Sequence, residues 1–280
     1  MAKSINLALL QCEITAKREK MNARIEKLVR DAVKDEPDIL ILPERWRPIP
    51  DLKSIRAAIN EERGRDYAFI QNLAEEYSTA FISGAIWESR NIDGKKSPYI
   101  TSYFFNETGK EIGRQDKIHL YAHEPLLFKP GLELNIFLHK KTNVKFTILI
   151  CFDVAFYETP RVAVENGSEL LISPTLIRQE GLNNWKIYLA ARALENRVPV
   201  VACNPVGNFF NRHFPGKSKI IQFEDGHESP SKLDIIEAPV DRRSVLMNKI
   251  DISFPNKIRK KRIEEQVDMS KIKVHKVGNF

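Results

Sequence analysis

An α/β fold is predicted by three observations. Apolar stretches of strand length recur along the chain, amphipathic stretches of helix length fall between them, and no Gly- or Ser-rich linker divides the 280 residues. The stretch "INLALLQCEI", residues 5–14, reads as the first strand. Residues 16–36 then place Met21, Ile25, Leu28, Val29 and Ala32 at helical spacing, and "PDILILPE", opened by Pro37, is a short apolar strand. This β-α-β start is the mark of a sheet with crossover helices. Residues 65–77 form a second amphipathic helix, followed by strand-like stretches over 79–89 and 99–117, where "NETGK" has the composition of a hairpin turn. The strand "NVKFTILICFD", a helix over "TPRVAVENG", the strand "SELLISPT", the helix "NNWKIYLAARALENR" and the strand "VPVVACNPVG" repeat the rhythm. Hairpins are expected at roughly 81–113 and 218–240. One domain over residues 1–247 follows, with a basic extension over 248–280 that packs on the surface or on a partner subunit.

Composition narrows the function. An apolar content of 42% supplies a well-buried core. Residues 1–4 lead straight into a strand without a secretory pattern, and no run approaches a membrane span, so a soluble protein is expected. Cys12, Cys151 and Cys203 are too few and too irregular for a disulfide framework or a zinc site, which fits a reducing, cytoplasmic compartment. Much of the net charge of +7 lies in "NKIRKKR", Asn256–Arg262, and a solvated terminal helix explains it more simply than nucleic acid does. The six histidines are scattered, with no pair at metal-ligand spacing.

Three strand ends carry an ionisable residue after an apolar or strand-like run: Glu44, Lys117 and Cys151. Residues just beyond the carboxyl ends of strands line the crevice where α/β sheets bind ligands, so the three can converge. Singly, each has a plain structural reading: a loop carboxylate, a solvated lysine and a core thiol. Together they suit nucleophilic chemistry. A desolvated carboxylate takes the thiol proton, and a neighbouring ammonium favours the thiolate and meets a developing oxyanion.

The segments "ILPER", "QDKIHLY" and "LICFDVAFYE" resemble the three successive catalytic motifs of the nitrilase superfamily, the carbon-nitrogen hydrolases with a Glu-Lys-Cys triad. "EPLLFKPG", "RALENRVPVVACNPVG" and "FPGKS", which carries Gly216 and Ser218, resemble further segments of that family in the same order. The resemblance implies a single-domain, four-layer α-β-β-α sandwich, commonly a homodimer or larger homo-oligomer. It also implies hydrolysis of a non-peptide C–N bond in a small molecule without metal or organic cofactor. By resemblance Cys151 is the nucleophile, Glu44 the general base, Lys117 the oxyanion stabiliser helped by the Phe152 N–H, and Glu124 the residue that holds Lys117. Trp46, Tyr121, Tyr157 and Thr175 are the candidate substrate contacts.

The chain departs from the family pattern after Cys151, where "VAF" stands in a region that often carries an arginine. That arginine can bind the substrate carboxylate in relatives acting on N-carbamoyl amino acids, so its absence lowers the carbamoylase reading; amide chemistry is the commoner activity in the family and no motif singles out nitriles, so an amidase for small linear amides is the first reading. A nitrilase or carbamoyl-amide hydrolase with the same triad is the second, and a non-catalytic binding scaffold the third. Arg45 and Arg47 could receive an anionic substrate, a surface role being the simpler reading. Trp185 suits core, interface or pocket; Arg192 and Glu195 suit a structural pair; His119 and Asp153 suit packing and backbone orientation; Cys12 and Cys203 suit inert core positions.

Overall fold

The first strand, Ser4–Gln11, is buried on both faces, and its two faces enter different cores. Ile5, Leu7 and Leu9 point one way, while Ala8 and Leu10 point the other, as the two-residue period of a strand requires. In the computed structural model, which describes residues 3–47, 56–209 and 211–276, that division runs through the whole molecule.

Among the described residues, an eight-stranded sheet has the order Ser244–Asp251, Ser4–Gln11, Ile39–Ile41, Ala80–Ile82, Lys95–Phe105, Ile86–Ile92, Asn60–Glu61, with Glu111–Asp116 paired onto Lys95–Phe105. A six-stranded sheet has the order Ser231–Glu237, Lys219–Glu228, Val200–Cys203, Leu170–Pro174, Val144–Ile148, Ile136–His139. Val206–Phe209 and Arg212–Pro215 form a separate hairpin. The sheets pack face to face through Leu7, Ile41, Phe104, Phe146, Ile148 and Ile172. Helices Arg18–Ala32 and Arg65–Glu76 cover the outer face of the first sheet through Ile25, Leu28, Ile70 and Leu73. Helices Glu158–Glu165, Leu182–Asn196 and Ser253–Glu264 cover the second through Val164, Leu189 and Ile258. The result is the four-layer α-β-β-α sandwich. Strands covered on both faces need no polar side, which is why the central ones are so uniformly apolar.

Both expected hairpins are present. Lys95–Phe105 pairs antiparallel with Ile86–Ile92, and Lys219–Glu228 with Ser231–Glu237. In the "NETGK" turn, Asn106 Oδ1 accepts from the N–H groups of Thr108 (3.1 Å) and Lys110 (2.9 Å).

The C-terminal boundary differs from the sequence expectation. The segment predicted to leave the domain at residue 248 begins inside Ser244–Asp251, which pairs residue for residue with Ser4–Gln11. Ile250 and Ile252 lie fully in the inter-sheet core. The following helix Ser253–Glu264 buries Phe254, Pro255 and Ile258 and exposes Lys257, Lys260, Lys261 and Arg262, so the basic run is a solvated face on an integral helix.

Gly216 and Ser218 fasten the second sheet to the first. The Ser218 N–H donates to Gln11 Oε1 (2.9 Å), and Gln11 Nε2 donates to the carbonyls of Pro239 (2.7 Å) and Arg242 (2.8 Å). Gly216 has φ +78°, and a Cβ there would lie 2.4 Å from Gln11 Cδ. Gly216→Ala is therefore expected to cost about 2 kcal/mol or more, from left-handed strain plus displacement of a fully hydrogen-bonded amide. Denaturant unfolding checks this, and a loss below about 0.5 kcal/mol contradicts it.

Candidate active site

The candidate residues meet at one end of the sandwich because each follows a strand. Glu44 lies three residues beyond Ile39–Ile41; its N–H donates to the Thr175 carbonyl of the other sheet (3.1 Å), and its own carbonyl accepts from Ala85 N–H (3.2 Å). Lys117 directly follows Glu111–Asp116, with its N–H on the Ile100 carbonyl (2.8 Å). Cys151 opens the 3-10 turn Cys151–Ala155 after Val144–Ile148 with φ +49°, a left-handed conformation that a non-glycine residue holds only where its surroundings fix it.

Asp153 and Arg192 do the fixing. Asp153, fully buried, accepts from the Ile150 N–H through Oδ2 (2.9 Å) and from the His119 N–H through Oδ1 (2.7 Å). One carboxylate thus ties the turn of the cysteine to the segment after the lysine. The His119 ring stacks on Phe156 at 3.8 Å and places Nδ1 3.1 Å from the same Oδ1. Arg192 donates to the carbonyls of Val154 (3.0 Å) and Ala155 (3.3 Å) and pairs with Glu195 at 2.6 Å, so it braces the far end of the turn.

At the centre, Lys117 Nζ lies 2.7 Å from Glu44 Oε1 and 2.8 Å from Glu124 Oε2. Glu124 Oε2 also accepts from the Tyr121 N–H (2.7 Å). Exposure is 1% for Lys117, 3% for Glu44 and 9% for Cys151, and the three open onto a pocket of about 480 Å³. Glu124, Phe152 and Tyr121 line the same pocket, with the Tyr121 ring edge-on to Phe152 at 5.0 Å. Phe152 is second in its turn, where a backbone N–H has no carbonyl of the turn behind it to donate to.

Three expected substrate contacts lie elsewhere. Trp46 is fully buried, gives its Nε1 proton to the Ser83 carbonyl (2.7 Å) and lines a neighbouring cavity of about 330 Å³. Thr175 is fully buried and donates to the Cys203 carbonyl (3.0 Å), while Tyr157 is 62% exposed at the start of a helix and is not among the residues lining the pocket. The surface reading of Arg45 and Arg47 is also corrected. Arg45 is buried with its guanidinium 3.6 Å from the centroid of the Trp87 ring, and Arg47 pairs with Asp66 at 2.8 Å in that same neighbouring cavity. Conversely, Leu176, Arg178, Asn184, Tyr188 and Arg212 line the Cys151 pocket without having been singled out in the sequence. Leu176 and Arg178 follow Leu170–Pro174, so the strand-end rule that marked Cys151 would have found them.

Residues 6–226 match the family model described as carbon-nitrogen hydrolase. The chain belongs to that family. It is 30% identical over 190 residues to a protein named hydrolase in agr operon from Staphylococcus lugdunensis, covering 66% of this chain and 79% of that one. It is 27% identical over 250 residues to the 2-oxoglutaramate amidase of Bacillus subtilis, covering 85% and 94%. The fold superposes on Saccharomyces cerevisiae Nit3, described as a member of branch 10 of the nitrilase superfamily, with TM-score 0.81, 22% identity and coverage of 96% and 97%.

Charge distribution gives this carbon-nitrogen hydrolase a resting thiol. Burial pushes Cys151 up, the Glu44 charge adds to it, and the pull of Lys117 and of the Leu176 N–H does not offset them. For Lys117, burial alone favours the neutral amine, but Glu44, Cys151 and Glu124 outweigh it and hold the ammonium above the ordinary lysine range. Burial raises Glu124, with Lys117 pulling it down and Glu44 pushing it up. One ammonium thus faces two carboxylates and the thiol together. The other two cysteines are sealed in the core, where burial lifts Cys12 to about 12 and Cys203 well above an ordinary thiol. Among the described residues no group of three or more His, Cys, Asp or Glu is placed to hold a metal ion.

Removing the Glu44 charge takes away a force that opposes the thiolate while Lys117 remains. Glu44→Gln is therefore expected to move the midpoint of the pH profile for Cys151 alkylation by iodoacetamide to lower pH. A midpoint that stays put or rises contradicts the electrostatic account, and peptide mass mapping assigns the labelled cysteine.

Proposed function

We propose that this hydrolase cleaves the C–N bond of a small linear amide through a thioester on Cys151, releasing ammonia or an amine. The observation that carries the reading is the buried Lys117 ammonium held by Glu44 and Glu124 beside Cys151 at the floor of an open pocket. Cys151 Sγ adds to the carbonyl carbon as Glu44 takes the thiol proton. The oxyanion so formed is met by Lys117 Nζ and the Phe152 N–H. Glu44 returns the proton to the leaving nitrogen, the C–N bond breaks and a thioester remains. Water then gives a proton to Glu44 and attacks the thioester carbon. The C–S bond breaks, Cys151 recovers the proton and the acid leaves. The amidase names of relatives support an amide substrate over a nitrile.

We further infer a homodimer. Val162 and Ile187, with Tyr157 and Leu194 near them in the chain, are exposed apolar side chains on or beside the packed helices Glu158–Glu165 and Leu182–Asn196, a surface suited to a second copy. A cytoplasmic location is supported by the three free, buried cysteines.

The test is ammonia release from short aliphatic amides by the wild type and by Cys151→Ala. The variant should lose roughly three orders of magnitude or more while keeping the wild-type circular dichroism; a variant that retains activity rules out the thioester route. For assembly, Ile187→Glu should move the elution volume of the protein toward that of a monomer, and an unchanged volume rules this helix face out.

A further inference from the structure

We propose that the cavity holding Arg18, Arg47 and Arg65 is a second binding site, separate from the Cys151 pocket, for a dianionic phosphate group carried by the free ion or by a small monoester. The cavity measures about 330 Å³ and shares no described lining residue with the Cys151 pocket.

Its charges do not balance. Arg18, Arg47 and Arg65 line it, with Arg45 beside them, and Asp66 is the one carboxylate among the described lining residues. That carboxylate is already committed. Buried Asp66 accepts from Arg18 and from Arg47 Nε (2.9 Å) through Oδ1, and from Asn60 Nδ2 (2.9 Å) through Oδ2. Arg65 is exposed and adds a further positive charge. Burial pushes Arg47 down to about 10; its partner Asp66 opposes this, while the charges of Arg18 and Arg65 push the same way. An anion between these guanidiniums turns that repulsion into attraction.

Two independent features point to a ligand. Arg47 Nη1 is buried and has no hydrogen-bond partner among the described residues, an open donor where buried donors are normally satisfied. In addition, helices Arg18–Ala32 and Arg65–Glu76 both begin at this cavity, and neither has a side-chain cap on its first N–H groups. Two positive helix ends therefore meet beside the arginines. The donors come from three separate segments, which suits the several oxygens of a tetrahedral dianion better than the planar fork of one carboxylate. Ala57, Ala58, Ile86 and Trp87 complete the lining and give an apolar wall for the organic part of a monoester.

The experiment is isothermal titration calorimetry at pH 8 and fixed ionic strength with inorganic phosphate, glycerol 3-phosphate and succinate. One or both phosphates should bind saturably with a Kd below about 1 mM, at least about tenfold tighter than succinate. Tighter binding of the ester or of the free ion tells which source the site prefers, and either supports it. Arg18→Gln/Arg65→Gln should weaken phosphate binding about tenfold with the circular dichroism unchanged. Should that pair of changes disturb folding, Arg65→Gln alone, at an exposed side chain, should weaken it about threefold. Protein alkylated at Cys151 by iodoacetamide should bind phosphate as the unmodified protein does. Absence of saturable phosphate binding, succinate binding as tightly as phosphate, an affinity unmoved by the arginine variants, or loss of binding on Cys151 alkylation each overturns the site. Binding is read without turnover, so the outcome is independent of the amidase reading.

Discussion

The buried Lys117 ammonium is the constraint around which the rest of the site is arranged. A charge that has lost its water must be paired, and breaking such a pair by removing one partner typically costs about 3–5 kcal/mol. Glu44 and Glu124 supply the pairing, but they come from separate segments, one after an inner strand of the first sheet and the other from the loop beyond Lys117 itself. Cys151 belongs to the second sheet. The site is therefore correct only if the two sheets are in register at their carboxyl ends. The backbone provides that register: Glu44 N–H to the Thr175 carbonyl joins the sheets on one side of the pocket, and Asp153 joins the His119 and Ile150 N–H groups on the other. Stability and chemistry share these contacts.

The same arrangement explains how a buried cysteine stays available without being indiscriminately reactive. A lone cation beside a thiol would favour the thiolate at rest. Here burial and then the Glu44 charge push the thiol up, and the pull of Lys117 does not offset them, which favours the protonated form. A substrate carbonyl at Lys117 changes the balance, since charge leaves sulfur for an oxygen that faces the ammonium. On the route proposed above, attack and deprotonation are thereby coupled, which is the coupling that a general base at Glu44 would need.

How much of this was legible in the sequence depended on the kind of signal. Cys151, Glu44 and Lys117 stand out because each interrupts a strand pattern at its carboxyl end, where side chains meet ligands. Glu124 follows no strand, and only the resemblance pointed to it. Trp46 and Thr175 show the limit of proximity along the chain. Trp46 is two residues from Glu44, yet its ring turns into the helix-covered core and its N–H goes to Ser83, while Thr175 is consumed by the Cys203 carbonyl. Neither direction is encoded in spacing. Ser244–Asp251 was hidden for a different reason: it is the edge strand of its sheet, largely half-buried, so it carries Asn248 and Lys249 and lacks the apolar run that announced the inner strands. Arg212 had no local signal at all, because a hairpin distant in sequence brings it to the pocket.

The missing arginine after Cys151 takes on a different meaning against this geometry. The turn Cys151–Ala155 is braced from outside by Arg192, which occupies the carbonyls of Val154 and Ala155. A cation within that turn would add attraction for a thiolate on Cys151. Cations placed instead at residues 178 and 212 are partly exposed, with side chains 41% and 55% accessible, and solvent screens them from the buried triad.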